Sequence, residues 1–215
     1  MLNSLFSNPA EFALWVAALL VAITIHEFSH ALLADRLGDP TPRVQGRLTL
    51  NPLAHLDPLG TLMLILVRFG WGKPVEFDPY NLQNPRRDAA IISFAGPASN
   101  LILAIALSAV VRTAVATQFT PELVLAVLLP FIYLNVVLAV FNLIPIHPLD
   151  GGKILVGLLP QESAHSWDMF LRRYGIVILL LLVFPLFGGV PLVAQFLSPT
   201  INLILGLLLS VPNLI

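Results

Sequence analysis

Cysteine is absent from all 215 residues. Disulfides and thiolate metal sites are therefore excluded, and any transition metal must be held by histidine and carboxylate. Charge is scarce too: Asp, Glu, Lys and Arg make up 11% of the chain, against about 25% in ordinary soluble domains. The net charge of −1 provides no basic footprint for nucleic acid. No Lys or Arg occurs before Arg36. The positive n-region of a cleavable signal peptide is thus missing, and the first apolar segment reads as a retained span. There is no long polar segment, low-complexity tract or repeat of fixed period, so residues 1–215 read as one integral-membrane unit with no appended soluble domain.

What is present in excess is apolar surface. Hydrophobic residues make up 57% of the chain and the mean hydropathy is +0.88, more than the core of a chain this size can hide. This predicts an all-α, polytopic membrane protein with the lipid bilayer as its solvent. Candidate spans cover 9–34, 86–117, 121–143, 174–187 and 191–210. Residues 36–88 differ. "RVQGRLTL" (43–50) alternates and predicts a short strand or hairpin. The apolar run "TLMLILVRF", bounded by Gly60 and Gly70, falls short of the ~20 residues a spanning helix needs. It either spans with help from its flanks or is re-entrant. If it does not cross, Arg36, Arg43, Arg47, Arg68, Lys73, Arg86, Arg87, Lys153, Arg172 and Arg173 share one face and only Arg112 lies on the other. That is the asymmetry of the positive-inside rule. The expectation is five full spans, with six also compatible with hydropathy, and a membrane-associated β-hairpin or re-entrant segment at about 40–70. The N-terminus is then outside and the basic face cytoplasmic, in the cell (inner) membrane.

Within the first span, "ITIHEFSHALLA" (23–34) holds three ionisable groups in five positions. His26 and His30 are four apart, so on a helix they lie about 40° apart on one face, a turn from each other. Glu27 stands beside them. This is HExxH, two zinc ligands and a general base. A chance match is expected in roughly three sequences per thousand at these His and Glu frequencies. Burial sharpens the reading, because ionisable groups at a span's centre cost about 2.5–3.5 kcal/mol each and need a partner.

Catalytic zinc usually takes three protein ligands. Asp150 in "NLIPIHPLDGGKIL" is the expected third: prolines break the helix there, and the glycine pair allows close backbone approach. The topology returns this segment to the side where the first span ends. Water would take the fourth position.

With these residues in place, "HEFSH" in one span, "GPASN" in another, "FNLIPIHPLDGG" after a third and "NPLAHLDPLGT" between them resemble the site-2 protease family of intramembrane zinc metalloproteases. The likeness is to its short bacterial and archaeal branch without PDZ or CBS domains. It covers roughly residues 10–160, the expected core, and leaves helices at about 172–212 as accessory. The resemblance implies one catalytic zinc on His26, His30 and Asp150, with Glu27 as base. It also implies that Asn142 helps hold substrate or the oxyanion, the alternative being an interhelical hydrogen bond. Gly96 and Asn100 match the small-residue motif of the middle core helix; close packing is the expected role, with Asn100 a possible support for a ligand. Asn135 reads as packing glue. His147, where this loop usually has a small or apolar residue, is either an auxiliary ligand, a pH-sensitive contact or a loop-surface histidine. His55 is either a proton shuttle or second-ion ligand, or simply a turn residue between "NP" and "DP".

The expected reaction is hydrolysis of peptide bonds in or near transmembrane segments, with Glu27 taking a proton from the attacking water and passing it to the leaving amine. The resemblance implies single-span membrane-protein substrates, with partner proteins a possible means of selection. "RVQGRLTL" would pair as a strand with the unwound substrate. The competing expectation is a metal-ion transporter or channel lined by the same His and Asp residues.

Overall fold

The computed structural model describes residues 8–67, 70–119, 121–184 and 189–210. Three long helices frame the site: α1 (Pro9–Arg36), α4 (Pro85–Ala116) and α5 (Pro121–Asn142). Their ends follow local chemistry. Pro9 opens α1, where a missing N–H costs nothing. Asn8 accepts the Glu11 N–H at 3.2 Å and donates back to its carboxylate at 3.1 Å, a reciprocal cap. Gly38, at φ +109°, turns the chain away after α1. Pro85 likewise opens α4, and Asp88 accepts the Asn84 N–H at 2.8 Å.

The three helices meet along stripes of small residues. Ala18, Ala22, His26, His30 and Ala34 are the buried line of α1, spaced by four. α4 buries Ile92, Gly96, Asn100, Ala104, Ser108 and Val111. α5 buries Ile132, Asn135, Val136 and Ala139. Lipid gives apolar side chains no reason to hide, so close backbone packing holds such helices together. Large side chains accordingly face outward, among them Ile102, Ile105, Leu123 and Phe196. The last helix, α8 (Leu192–Leu209), closes one side by setting Ile201 against Ala104, Val111, Ile132, Val136 and Val140.

Among the described residues, α1, α4, α5 and α8 are long and apolar enough to cross a bilayer. The chain is a multi-pass membrane protein. α7 (Gln161–Val183) begins well before the expected span at 174; Glu162, Asp168, Arg172 and Arg173 keep its first half out of the apolar run. Residues 185–187 of that expected span lie outside the described residues. A short α6 (Asp150–Leu158) precedes α7.

The excursion between α1 and α4 corrects one expectation. Residues 43–50 form no strand or hairpin. Thr41–Val44 is a helical turn, α2, with Pro42 in its first turn, and Gly46 ends it at φ +69°. Exposure does not follow the sequence alternation: Arg47 is buried, whereas Arg43, Val44, Gln45 and Leu50 are exposed. Arg47 donates to the carbonyls of Ala54, Lys73 (2.5 Å) and Pro74 (2.7 Å), drawing the loop inward around its guanidinium. Among the described residues here, the bridge of β type is an isolated contact, Leu56 with Gly72. α3 (Pro58–Val67) has 10 residues, about 15 Å of helix at 1.5 Å per residue. That is half of the ~30 Å hydrocarbon core. Arg68 and Phe69, at the end of the expected run, lie outside the described residues.

Candidate active site

Helical spacing places His26 and His30 one turn apart on the buried stripe of α1, with ring centroids 4.6 Å apart. The turn after α5 brings Asp150, the first residue of α6, onto the same spot. Its Oδ2 lies 3.0 Å from His26 Nε2 and 3.2 Å from His30 Nε2. Among the described residues, these three form the group of His and acidic side chains whose donor atoms converge, all within 4.8 Å of one another.

The surroundings orient both imidazoles. His26 Nδ1–H donates to Asn100 Oδ1 at 2.6 Å and His30 Nδ1–H to the Ile92 carbonyl at 2.7 Å. Each Nε2 lone pair is then directed into the cluster. Asn100 is itself fixed: its amide donates to the Ala22 carbonyl at 3.0 Å and to Asn135 Oδ1 at 2.7 Å. Asn135 in turn donates to the Phe131 carbonyl at 2.8 Å. α1, α4 and α5 are thus tied together behind His26.

Zinc fits this donor set. Two imidazole nitrogens and a carboxylate oxygen are among its usual ligands, and bonds of about 2.0–2.1 Å imply edges of about 3.3 Å in a tetrahedral site. The 3.0 and 3.2 Å edges observed are close to that value. Space is kept by Gly96: a Cβ there would stand 2.6 Å from His26 Nε2 and closer still to His30 Nε2. Gly96 of α4 thus packs closely on α1, at the two imidazole Nε2 nitrogens.

Glu27, half-buried beside the cluster, accepts the Val75 N–H on Oε2 at 3.0 Å. The stretch 73–78 therefore runs past the Glu27 carboxylate, held by Arg47 on the carbonyls of Lys73 and Pro74. Lys153 was not singled out from sequence. Its ammonium lies 4.7 Å from the Phe77 ring centre. Burial depresses its pKa, while the carboxylates of Asp150 and Glu27 pull the other way.

The auxiliary candidates are placed elsewhere. Asn142 gives its amide N–H to the Leu138 carbonyl of its own helix at 2.9 Å. His55 is fully buried in the 47–74 excursion, its Nε2–H donating to the Thr49 carbonyl at 2.8 Å and its own carbonyl accepting the Lys73 N–H at 2.8 Å. His147 turns Nε2 to Asp168 of α7 at 3.1 Å, not toward the cluster. Burial depresses the His147 imidazole below its ordinary value despite that carboxylate. Asn135, expected as packing glue, ties α5 to α4 through Asn100. The Val75 N–H is the contribution sequence reasoning missed, because a main-chain amide leaves no signal.

Comparison with known proteins places the architecture and donor set in a class. The profile of Peptidase family M50 matches residues 14–124 and 112–184, and the chain belongs to that family. It is 39% identical over 178 residues to "Putative zinc metalloprotease YwhC" of Bacillus subtilis, covering 80% of each chain. It is 34% identical over 186 residues to "Putative zinc metalloprotease Rip2" of Mycolicibacterium smegmatis, covering 83% of this chain and 70% of that one. Stage IV sporulation protein FB of Bacillus subtilis is 30% identical over 165 residues, 70% of this chain and 54% of that one. No solved structure matches. The chain is a zinc metallopeptidase of the intramembrane type. The ion-transport alternative finds no support, since the donors form one compact cluster rather than a series along a path.

Proposed function

We propose that His26, His30 and Asp150 hold the zinc, that Glu27 is the general base, and that the enzyme cleaves single-span membrane proteins in or near their transmembrane segments. The observation that carries this is the convergence of Asp150 on the two α1 histidines around the bare Cα of Gly96. Zinc, when bound there, acts as a Lewis acid toward the scissile carbonyl and brings the pKa of water toward about 7. The protein's side chains do the rest. Asn100 and the Ile92 carbonyl keep both Nε2 atoms aimed inward. Glu27 accepts the proton of the attacking water and returns it to the leaving amine, with one carboxylate oxygen steadied by the Val75 N–H.

In this reading α7 also inserts, from about Tyr174 onward, giving five spans. Its exposed Trp167, Phe170 and Tyr174, one helical face, suit the membrane interface. Ten of the eleven basic residues then share the cytoplasmic face, and the site lies nearer that face of the cell membrane. Helices at about 172–212 remain accessory to the core at about 10–160.

The test is detergent-purified protein incubated with a model transmembrane substrate, wild type against Glu27→Gln. The expected result is cleavage by the wild type, a loss of at least about a thousandfold in Glu27→Gln, and one bound zinc in both. Equal cleavage by the two proteins refutes the assignment.

A further inference from the structure

His147, in the turn that carries Asp150, is held at two points by α7. The inner face of that helix runs through Ala164, Asp168, Leu171, Gly175 and Leu179, a stripe at helical spacing. Its buried members are apolar or glycine, and Asp168 is the acidic residue in line with them. Asp168 Oδ1 takes the His147 Nε2–H at 3.1 Å, while Oδ2 accepts from Arg172 Nε at 2.8 Å, so the carboxylate is held on both oxygens. Two turns further on, Gly175 brings the α7 backbone directly onto the main chain of His147. A Cβ at Gly175 would stand 3.1 Å from the His147 carbonyl carbon and closer to its oxygen.

The other ring nitrogen of His147 lies against α6. A Cβ on Gly152 would meet His147 Nδ1 at 2.6 Å and its backbone nitrogen at 2.8 Å. Gly152 is two residues after Asp150, in the first turn of α6. The turn itself has little regular structure, since Pro145 and Pro148 interrupt it. Its backbone bonds are short-range ones: Ile146 to Ile144, Leu149 to Ile146 and Gly152 to Leu149. A segment built this way needs external support to hold one carboxylate within a few tenths of an ångström of two imidazoles.

We infer that α7 is a positioning element of the zinc site, in which Asp168 and Gly175 clamp His147 and thereby fix the turn that carries Asp150. His147 is a wedge between α7 and α6, not a ligand, and the helix beyond the core is coupled to the metal through it. The inference rests on the proposed ligand set.

The experiment measures zinc release to a chromogenic chelator from the detergent-purified full chain, beside the melting temperature of the metal-free protein. Asp168→Ala should release zinc about tenfold faster, within the range for loss of a group that orients a ligand. Its metal-free melting temperature should match the wild type. Asp168→Asn keeps an acceptor for the His147 N–H and should restore near-wild-type release. His147→Ala removes the same contact from the other side and should reproduce the faster release, which keeps the test available if Asp168→Ala cannot be purified. Wild-type release from Asp168→Ala or His147→Ala overturns the inference. So does a metal-free melting temperature that falls in step with zinc loss, because the contact then serves the fold at large. Asp150→Ala separates this failure from failure of the underlying reading. If Asp150→Ala binds zinc as the wild type does, the ligand set is wrong. If it loses zinc while Asp168→Ala behaves as the wild type does, only the clamp is wrong.

Discussion

Replacing Asn100 by Leu tests how far zinc binding depends on a residue that does not touch the metal. The two side chains are similar in size, so packing between α1 and α4 is largely kept, while the acceptor of the His26 Nδ1–H disappears. Asn100 is fully buried, between helices on the side of the His26 ring away from the cluster, where a lost partner is costly to replace. His26 cannot swing to a new partner without withdrawing Nε2 from the cluster, because the 2.6 Å bond to Asn100 and the 3.0 Å approach to Asp150 use opposite sides of one ring. An orphaned buried donor costs about 1–3 kcal/mol. At about 1.4 kcal/mol per factor of ten, zinc should bind about 5–150-fold more weakly, which brackets the loss usual for groups that orient metal ligands. The assay is competition with a chromogenic chelator on detergent-purified protein. Leu also strips Asn135 Oδ1 of its donor, so Asn100→Leu with Asn135→Val controls for that second orphan. The double variant should recover stability but not zinc affinity. Zinc affinity within twofold of wild type in Asn100→Leu would refute the reasoning, showing that packing alone orients His26.

Gly96→Ala should weaken zinc binding at least about tenfold, read in the same competition assay, since the new methyl occupies the space between the two Nε2 atoms. Helix propensity favours Ala over Gly by about 1 kcal/mol, so a loss cannot be blamed on the helix itself. Asp39, just past α1, offers a pH test of the excursion's anchor. Burial alone would raise its carboxyl, but hydrogen bonds from the Thr41 and Asn81 side chains and the Thr41 and Asp78 amides outweigh it and hold the pKa below the ordinary carboxylate range. A depressed pKa means stability that is complete above the unfolded value of about 3.9 and lost as pH falls through the folded one. The melting temperature of Asp39→Asn should therefore lie below wild type at pH 6, with the gap narrowing as pH drops below about 4; a constant gap would count against the charge.

The parts of the site that were legible in sequence are those set by local geometry. The His26–His30 spacing is read directly from helical periodicity, and the prolines and glycines of 145–152 announce a broken helix that sets Asp150 apart. α1, α4 and α5 are legible within a residue or two because long apolar runs mark them. The hairpin at 43–50 failed for a physical reason. Alternation signals a strand when its apolar side seeks a protein core, but here Val44 and Leu50 face outward and Arg47 is drawn in by three carbonyls. The pairing of Asn100 with Asn135, and of His147 with Asp168, depends on the register of helices far apart in the chain, which no local pattern encodes.

The hydrogen bond from the Val75 amide to Glu27 separates two demands that usually compete. Every residue but proline supplies that amide, so the contact to Glu27 is indifferent to the side chain at 75. Within the stretch Val75 is buried, whereas Lys73, Pro74 and Glu76 are exposed. With Glu27 in the role proposed above, those exposed positions can change while the carboxylate keeps its partner.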